Sequence, residues 1–586
     1  MCGIFGYFGK QTDGANLTVN GLKNLEYRGY DSWGVAWQEN AELHAFKSVG
    51  KISDAKKIKS KAHIAVAHTR WATQGEVSER NAHPHFSQNG EVAVVHNGVI
   101  ENYLELKKII GSEKFKSETD TEVVAHWIQK YMDEGFDFEK AFRQTLNDLK
   151  GRNAVIALHA KENKLLAGRI GSPLILGVGD KEWFLASDIP AFLEHTQTVN
   201  YLDDGEMVIL SEQGVEFKNI KTGEAVKKRD IKIDWDADVA DKGTHAHFMI
   251  KEILEQKRTI AQALQQDLHE LRFAADLIRR ARGTYFIGCG TAGNVCHAGT
   301  YFFTQVADRH VNYAPASEFP IYEHFLKPES LVIAVSQSGE TADVLEAIEA
   351  AKRKGSKVLA IVNVRGSSIA RMADSVLLLN AGPEKAVAST KAATSQMAVL
   401  LLLAYAAAGK LEEGRRVLLE TSEKINDMLN PRYVEHIRQI AEKYIQKKDI
   451  YIVGKGANYP MALEAAIKIM EVSYIHAHGF AGGELKHGPI ALIEKGTPCL
   501  ALVGEDEFKA DMLTACAELK TRGAKILGIG ANHEEVYDEW MRVPDAGVAS
   551  PLVNIIPAQL LAYEFACLKG INPDMPRNLA KSVTVK

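Results

Sequence analysis

The second residue of the chain is a cysteine, Cys2, and it is the first candidate for chemistry. Removal of Met1 would leave Cys2 with a thiol nucleophile and a free α-amine on adjacent carbons. A model α-amine has a pKa of about 7.7–8.0, so near neutral pH it can act as the general base of its own residue. The run from Gly3 to Tyr7 predicts a buried strand, which would hold this terminus in place.

Three further segments carry groups that a thiol attacking a carboxamide would need. Arg70 ends a strand-like run and offers a planar fork that suits a carboxylate, while Asp120 can pair with an ammonium group. Asn97 and Gly98 end another run, and the Asn97 amide and the Gly98 backbone N–H can face a developing oxyanion. Together these residue types indicate an amino-acid amide as substrate. Arg70 would also suit a surface ion pair, and Asn-Gly is a common turn.

A hydroxyl-rich turn is the main candidate site in the second half of the chain. Ser336-Gln-Ser-Gly-Glu-Thr341 follows an apolar strand and opens a helix, an arrangement that suits a phosphate. Serine and threonine also cap helices where no ligand binds. Residues 288–293 match the pattern of a dinucleotide turn. The next strand lacks the acidic residue that would hold a ribose, so a dinucleotide cofactor is not expected.

One charged stripe interrupts an otherwise apolar helix. Glu464, Lys468 and Glu471 recur at helical spacing, which predicts either a solvated helix edge or the wall of a polar cavity. His487 lies in a glycine-rich loop, where a histidine is usually just exposed. Lys581 lies near the C-terminus and would ordinarily be a solvated lysine.

Composition restricts the class of protein. The 586 residues suggest about three to four domains. The net charge of −5 gives no basic stripe for nucleic acid and no polybasic patch for a membrane. The apolar run 397–408 is shorter than the roughly 18 residues that span a bilayer, and it predicts a buried helix. Six scattered cysteines show neither CxxC pairs nor metal spacing, so we expect a cytoplasmic, reduced protein without a metal or redox cofactor.

The periodicity of the chain changes after Lys232. Short β-branched runs up to that residue predict strands at 64–68, 92–96, 154–158, 174–178 and 207–210, and two further segments predict helices near 17–25 and 121–131. These elements indicate a mixed α/β domain with large antiparallel sheets. Residues 233–243 are acidic and unpatterned and are interpreted as a linker. Beyond them, strands alternate with amphipathic helices, and the segment that ends at Gly288 recurs in the segment that ends at Gly454. This repeat predicts two doubly wound domains with parallel sheets, at 244–420 and 421–570, followed by a tail, 571–586.

The N-terminal motifs resemble the glutaminase domain of the N-terminal-nucleophile amidotransferases. The matching segments are Met-Cys-Gly-Ile-Phe-Gly at 1–6, Glu-Tyr-Arg-Gly-Tyr-Asp-Ser at 26–32, His-Thr-Arg-Trp-Ala-Thr at 68–73, Asn-Ala-His-Pro-His at 81–85, His-Asn-Gly-Val-Ile-Glu-Asn at 96–102 and Ser-Glu-Thr-Asp-Thr at 117–121. The resemblance implies an αββα fold and glutamine hydrolysis with Cys2 as nucleophile.

The same resemblance implies a role for each candidate in the first half. Arg70 would bind the glutamine carboxylate, Asp120 its ammonium group, and Asn97 with Gly98 would form the oxyanion hole. Trp71 would act as the gate to an ammonia channel. Thr73 and His83 would complete the glutamine pocket. Gln74 departs from the family, in which many members have a histidine.

The motifs of the second half resemble the tandem sugar-isomerase (SIS) domains of the glutamine:fructose-6-phosphate aminotransferases. The matching segments are 336–341, Val-Ala-Ser-Thr-Lys at 387–391, Gly-Glu-Leu-Lys-His-Gly-Pro at 483–489 and Pro-Arg-Asn-Leu-Ala-Lys-Ser-Val-Thr-Val at 576–585. The resemblance implies sugar-phosphate binding by Thr291, Ser336, Gln337, Ser338, Thr341, Val387 and Ala580. It also implies that Glu471 shuttles a proton between C1 and C2 with support from Glu464 and Lys468, that His487 assists ring opening, and that Lys581 forms a Schiff base.

The resemblance predicts an enzyme that makes glucosamine 6-phosphate from fructose 6-phosphate and glutamine, the first step of amino-sugar synthesis, as a homodimer. Ala292 stands where a hydroxyl residue is expected, so another ketose phosphate, or a deglycase, stays open. A sugar-phosphate-binding regulatory module fused to a glutaminase is a further alternative. Purine-type and asparagine-type amidotransferases share the N-terminal motifs, but the repeat fits neither. The short linker argues against the insertion that would allow feedback by a nucleotide sugar.

Overall fold

The computed structural model describes residues 2–233 and 242–584. The chain divides into two compact units, residues 1–241 with 580–586 and residues 242–579. Residues 234–241 of the predicted linker lie outside the described residues.

The first unit contains antiparallel sheets and helices between residues 2 and 233. Its strands are β1 (Gly3–Gly9), β2 (Ser32–Glu39), β3 (Glu42–Val49), β4 (Ile64–Arg70), β5 (His85–Phe86), β6 (Val92–Gly98), β7 (Asn153–His159), β8 (Lys164–Ile170), β9 (Ile175–Val178), β10 (Glu182–Ala186), β11 (Thr198–Tyr201), β12 (Glu206–Ser211), β13 (Gly214–Asn219), β14 (Ala225–Val226) and β15 (Ile231–Lys232). Its helices are α1 (Gly14–Lys23), α2 (Tyr103–Ile110), α3 (Glu122–Asp133) and α4 (Phe138–Asp148).

The strands of the first unit form two sheets that pack face to face. The order of one is β15-β11-β9-β10-β1-β4-β2-β3, and that of the other is β14-β13-β12-β8-β7-β6-β5. Alternate residues of each strand fill the space between the sheets, among them Ile4, Val66 and Ile156. The outer faces pack against α1 on one side and against α3 and α4 on the other. This confirms the predicted αββα architecture.

Two helices of the first unit, α2 and α4, were not predicted from the sequence. Helix α4 begins where the Asp137 carboxylate accepts the Lys140 N–H at 2.7 Å, and it buries Phe138 and Phe142. Helix α2 is eight residues long and buries only Leu106, so its sequence signal is short. The predicted strands at 64–68, 92–96, 154–158, 174–178 and 207–210 are all present.

The second unit alternates parallel strands with helices. Its strands are β16 (Gly283–Gly288), β17 (Asn312–Pro315), β18 (Ser330–Ser336), β19 (Lys357–Val362), β20 (Ser375–Leu378), β21 (Asp449–Gly454), β22 (His476–Ala481), β23 (Pro498–Leu502), β24 (Lys525–Gly530) and β25 (Glu539–Arg542). Its helices are α5 (Phe248–Ala263), α6 (Leu268–Arg280), α7 (Thr291–Ala307), α8 (Ala342–Arg353), α9 (Ser368–Met372), α10 (Lys391–Ala407), α11 (Leu411–Met428), α12 (Pro431–Tyr444), α13 (Asn458–Ser473), α14 (Lys509–Thr521) and α15 (Ser550–Leu568).

The predicted repeat is present as two five-stranded parallel sheets of identical topology. Their orders are β17-β16-β18-β19-β20 and β22-β21-β23-β24-β25. In each sheet the order reverses between the first and third strands of the copy, which are β16 and β18 in the first copy. Ligands of doubly wound folds bind at the carboxyl ends of strands at such a switch point. The fold therefore directs attention to the turns that follow β16 and β18.

Helices that are apolar on every side form the core of the second unit. Every residue of α10 is buried, as predicted for residues 397–408. The helical segment Gly547–Leu568 is long and apolar enough to cross a membrane by length and composition, but 89% of its most apolar window is buried in the structure. A helix at the centre of a core has the same composition as a membrane span.

Candidate active sites

The Cys2 side chain is held at the start of β1 by residues of the neighbouring strand. The Trp71 N–H donates to Cys2 Sγ at 3.3 Å, and the Gly3 N–H donates to Thr69 Oγ1 at 3.1 Å. A Cβ atom at Gly3 would lie 2.6 Å from Thr69 Oγ1, so the glycine permits this close approach. Cys2 therefore directly precedes a strand of the sheet and is held against it, rather than lying in a loose terminus.

The electrostatic environment of the Cys2 thiol favours its neutral form. Burial raises the pKa of the thiol, and the positive charge of the amino terminus, the Trp71 N–H and the Arg70 guanidinium lower it only in part. A thiol with a raised pKa needs a base to become a nucleophile.

Asn97 and Gly98 lie at the end of β6, and Asn97 contacts Cys2 there. Asn97 Nδ2 donates to the Cys2 carbonyl oxygen at 3.0 Å. Gly98 has a φ of 143°, and a Cβ there would lie 2.1 Å from the Arg152 carbonyl oxygen, so only glycine fits. The structure thus brings a thiol and an amide donor together.

Sequence reasoning missed Arg28, which also contacts the nucleophile segment. Arg28 Nε donates to the Cys2 carbonyl oxygen at 3.4 Å, and its Nη1 pairs with Asp188 at 2.9 Å. Arg28 lies in the motif at 26–32. That motif indicated the family, but it did not indicate a role for this arginine.

Arg70 is buried, and its guanidinium shapes the loop that follows Trp71. Its Nη1 donates to the Glu76 carbonyl at 3.1 Å and its Nη2 to the Gly75 carbonyl at 3.0 Å, with a further bond from Nη2 to the Gln74 carbonyl. Burial lowers the pKa of Arg70. Asp120 is also buried and accepts the Ile100 N–H at 2.7 Å. Both residues sit in fixed positions.

The remaining predicted glutamine-pocket residues differ in burial. His83 is buried, and its Nδ1 accepts the His96 N–H at 3.3 Å. Thr73 is exposed, and Trp71 is half-buried. The Gln74 Oε1 atom is buried without a hydrogen-bond partner within the described part of the chain. Gln74, which stands where many family members have a histidine, therefore leaves an unsatisfied hydrogen-bond acceptor in the loop that the Arg70 guanidinium contacts.

The turn after β18 forms a hydroxyl-lined cradle at the start of α8. Ser336 Oγ accepts the Gly339 N–H at 3.0 Å and lies 3.2 Å from Thr341 Oγ1. Ser338 Oγ accepts the Glu340 N–H at 3.2 Å. These hydroxyls and the N-terminal end of α8 suit an anion. Gln337, half-buried, lies in the same turn.

The charged stripe on α13 is buried, so it is not a solvated helix edge. The side chains of Glu464 and Lys468 are 0% and 1% exposed, and that of Glu471 is 17% exposed. Lys468 Nζ lies 3.3 Å from Glu464 Oε1 and also pairs with Glu471. Burial raises the pKa of Glu464. Burial alone would lower the pKa of Lys468, but Glu471 and Glu464 together raise it above its usual value.

Glu464 is held by residues from the other copy of the repeat. Thr291 Oγ1 donates to Glu464 Oε1 at 2.9 Å, and Asn294 Nδ2 donates to Glu464 Oε2 at 3.0 Å. The Thr291 hydroxyl, predicted to assist phosphate binding, is thus engaged with a carboxylate. Asn294 was not predicted; its position one turn after Thr291 on α7 was the available signal.

The other predicted sugar-site residues lie outside the turn that follows β18 and outside α13. Val387 is buried and its N–H donates to the Asp574 carbonyl at 3.0 Å. His487 is exposed at the end of a short 3₁₀ turn and makes no hydrogen bond to any described residue. Ala580 and Lys581 are half-buried in the C-terminal segment, which groups with the first unit. The roles predicted for His487, Ala580 and Lys581 stay predictions.

No cluster of three or more histidine, cysteine, aspartate or glutamate side chains in residues 2–233 and 242–584 is arranged to hold a metal ion.

Comparison with known proteins identifies the family. Residues 43–227 match the family model described as glutamine amidotransferase domain, and residues 277–406 and 443–569 match the SIS domain. The chain is 42% identical over 603 residues to the glutamine–fructose-6-phosphate aminotransferase (isomerizing) of Thermococcus kodakarensis, with all of both chains covered. The chain belongs to this family. The Pyrococcus horikoshii member is 43% identical over 609 residues, again with both chains fully covered.

Solved structures agree with this family for the second unit. The C-terminal domain of glucosamine-fructose-6-phosphate aminotransferase from Francisella tularensis is 30% identical, with a TM-score of 0.53, over 57% of this chain and 99% of that one. A tagatose-6-phosphate ketose/aldose isomerase from Escherichia coli, 20% identical with a TM-score of 0.50 over 56% of this chain and 95% of that one, shares the fold.

Proposed function

We propose that the protein converts fructose 6-phosphate and glutamine to glucosamine 6-phosphate and glutamate. The observation that carries the proposal is the buried Glu464–Lys468–Glu471 set, whose acid and base groups suit an isomerisation next to a carbonyl. Family relatives that match the whole chain bear the name of this reaction.

The first unit would supply ammonia. The Cys2 thiol attacks the carboxamide carbon of glutamine and passes its proton to the α-amine freed by removal of Met1. Negative charge develops on the carbonyl oxygen, where Asn97 Nδ2 and the Gly98 N–H are the proposed donors. Ammonia leaves with the proton, and water hydrolyses the resulting thioester to glutamate and restores the thiol. Arg70 and Asp120 would hold the two charged groups on the glutamine α-carbon.

The second unit would bind the sugar phosphate and aminate it. The Ser336–Thr341 turn binds the phosphate, and Ala292 leaves one fewer hydroxyl for it than the family pattern supplies. Ammonia displaces the Lys581 amine from the Schiff base at C2, whose formation has released water, and leaves an imine at that carbon. Glu471 then takes a proton from C1 and returns it to C2, while Lys468 compensates the charge. By resemblance to the family, His487 opens the sugar ring and Lys581 forms a Schiff base with the ketose before ammonia replaces it.

Cys2→Ala tests the proposal, with Cys567→Ala as a matched control. Cys567 is a half-buried free thiol at the C-terminal end of α15. We expect Cys2→Ala to form neither glutamate nor glucosamine 6-phosphate from glutamine, and Cys567→Ala to form both. Glutamine-dependent synthesis by Cys2→Ala would contradict the proposal. A panel of ketose phosphates assayed with the unmodified enzyme separates fructose 6-phosphate from the alternative substrates.

The proposed thiol chemistry requires a reducing compartment, and all six cysteines are free, so we place the reaction in the cytoplasm. By resemblance the active form is a homodimer, and light scattering should give twice the 64.5 kDa of one chain.

A further inference from the structure

A fully buried histidine, His68, lies behind the amide of Asn97. His68 Nε2 is 2.9 Å from the His96 carbonyl oxygen and 3.2 Å from Asn97 Oδ1. A backbone carbonyl can only accept a hydrogen bond, so the Nε2 atom must carry the ring proton. The tautomer of His68 is thus fixed by its neighbour rather than by its own preference.

This tautomer determines which way the Asn97 amide points. An N–H group faces the oxygen of an amide and repels its NH₂ group, so Asn97 Oδ1 lies against His68. The NH₂ group must then lie on the opposite side, where Nδ2 donates to the Cys2 carbonyl oxygen at 3.0 Å. An amide in the reverse orientation, with oxygen and nitrogen exchanged, would present an acceptor to a developing oxyanion and repel it.

The surroundings of His68 hold the ring in place and neutral. His68 stacks on His83 with ring centres 3.9 Å apart and an angle of 8°. His83 is fixed in turn, because its Nδ1 accepts the His96 N–H. Burial lowers the pKa of His68 to about 3, so a protonated, positively charged ring does not form at the pH of the cell. His68 Nδ1 is buried and has no hydrogen-bond partner in the described chain, so the ring makes its hydrogen bonds through Nε2–H.

We propose that His68 is a positioning residue for glutamine hydrolysis: its Nε2–H orients the Asn97 amide so that Nδ2 faces the oxyanion formed at Cys2. This inference rests on the proposed role of Cys2 and Asn97 and adds the residue that sets the orientation of the donor. His68 touches neither substrate nor thiol in this role.

Two substitutions at position 68 separate the N–H donor from the ring. His68→Phe keeps the ring, its volume and the stacking on His83 but removes the donor. The His96 carbonyl then loses the Nε2–H donor, and because an unsatisfied buried acceptor is costly, we expect the Asn97 NH₂ group to turn towards it and away from Cys2. His68→Gln loses the ring but places an amide N–H where Nε2 was.

For His68→Phe we expect kcat for glutamine hydrolysis to fall at least tenfold. Complete loss of an oxyanion donor, about 10²–10³-fold, is the upper limit. The KM for glutamine should stay within about threefold, because the carboxylate and ammonium contacts are intact. His68→Gln should keep kcat within threefold of the unmodified enzyme. The exposed His44, replaced by glutamine, is the matched control and should change neither constant.

Alkylation of Cys2 by iodoacetamide distinguishes positioning from general damage to the site. This displacement forms no oxyanion, so the rate for His68→Phe should equal that of the unmodified enzyme. A kcat within twofold for His68→Phe, or equal losses for His68→Phe and His68→Gln, would overturn the proposal. A fall in the alkylation rate that matches the fall in kcat would also overturn it.

A spectroscopic measurement tests the proposal even where a variant fails to fold. Nitrogen-15 NMR of histidine-labelled protein should show His68, assigned by its loss in His68→Phe or His68→Gln, as a neutral Nε2–H tautomer that does not titrate between pH 5 and 8. An Nδ1–H tautomer would refute the proposal. If the unmodified enzyme does not hydrolyse glutamine, the proposed function fails, whereas the NMR result still decides the orientation of the Asn97 amide.

Discussion

Replacement of Lys468 by methionine should destabilise α13 strongly. Methionine keeps the length of the side chain, but the fully buried Glu464 would lose its cationic partner and keep only Thr291 and Asn294 as donors. Removal of one partner from a buried ion pair costs about 3–5 kcal/mol, because the other charge is left uncompensated. Native-state hydrogen exchange of α13 peptides, which reports local opening, should accelerate by about two to three and a half orders of magnitude at pH 7.

A second substitution identifies the buried charge as the cause. Glu464→Gln added to Lys468→Met removes that charge, so most of the protection of α13 should return while isomerase activity stays absent. Lys443→Met is the surface control. Lys443 on α12 pairs with Glu539 but is 57% exposed, so its loss should cost less than about 1 kcal/mol. Protection in Lys468→Met that matches this surface control, or no recovery in the double variant, would refute the argument.

The pH dependence of Lys468→Met has a definite sign. The pKa of Glu464 is raised in the folded chain, so its contribution to stability is present at low pH and is lost as pH rises through that pKa. The loss of α13 protection caused by Lys468→Met should therefore become smaller as the pH falls from 7 towards 5.

Two further predictions concern the histidines and the phosphate turn. Burial lowers the pKa of each histidine in the cluster of His68, His83, His85 and His96. Below about pH 6.5 these histidines take up protons in the unfolded chain before they do so in the folded chain. The folded chain therefore loses stability as the pH falls below that value. Urea unfolding followed by tryptophan fluorescence should show a loss of up to about 2 kcal/mol per histidine between pH 7 and 5; an unchanged midpoint would contradict this. Gly339→Ala should raise the KM for fructose 6-phosphate at least tenfold without affecting glutamine hydrolysis, because Gly339 has a φ of 67° and a Cβ would lie 2.0 Å from the Ser367 hydroxyl. Asp506→Ala, in the matching turn of the second copy, should leave that KM unchanged; steady-state kinetics that show equal effects would refute the assignment.

The architecture was predictable because it is determined by local patterns that recur. The strands of the first unit are short β-branched runs between turn residues, and the central ones are buried on both faces, as continuous apolar runs of this length predict. The repeat was detectable because both copies end their first strand in a glycine that packs against the following helix. A Cβ at Gly288 would lie 2.8 Å from the backbone of Ala292, and one at Gly454 would lie 2.2 Å from that of Asn458.

The contacts that orient the site could not be predicted in the same way. His68 and Asn97 are 29 residues apart, and Thr291 and Glu464 are 173 apart. No local pattern specifies such pairs, because they depend on strand register and on the packing of one copy of the repeat against the other. Resemblance to a family names the residues that react. It does not by itself identify the neighbours that hold them.

In the proposed reaction, the two copies of the repeat supply different groups. When Gly288 is aligned with Gly454, the positions of α7 that match Glu464, Lys468 and Glu471 are Ala298, Phe302 and Gln305, which offer no acid or base. The turn between β23 and α14, which matches the hydroxyl-lined turn of the first copy, instead carries Glu505, Asp506 and Glu507, which repel a phosphate.

A cavity of about 580 Å³ lined by Gln305, Ala457 and residues 505–507 marks the place where the second copy would have formed the counterpart of the sugar site. It has neither the phosphate turn nor the charged stripe. The proposed sugar site instead takes its phosphate turn from the first copy and its charged helix from the second, and Thr291 and Asn294 of the first copy hold Glu464 of the second. In the proposed reaction the phosphate turn belongs to one copy and the charged stripe to the other, so we expect neither SIS domain to be active without the other. We therefore expect the contact between α7 and α13 to serve catalysis as well as the core.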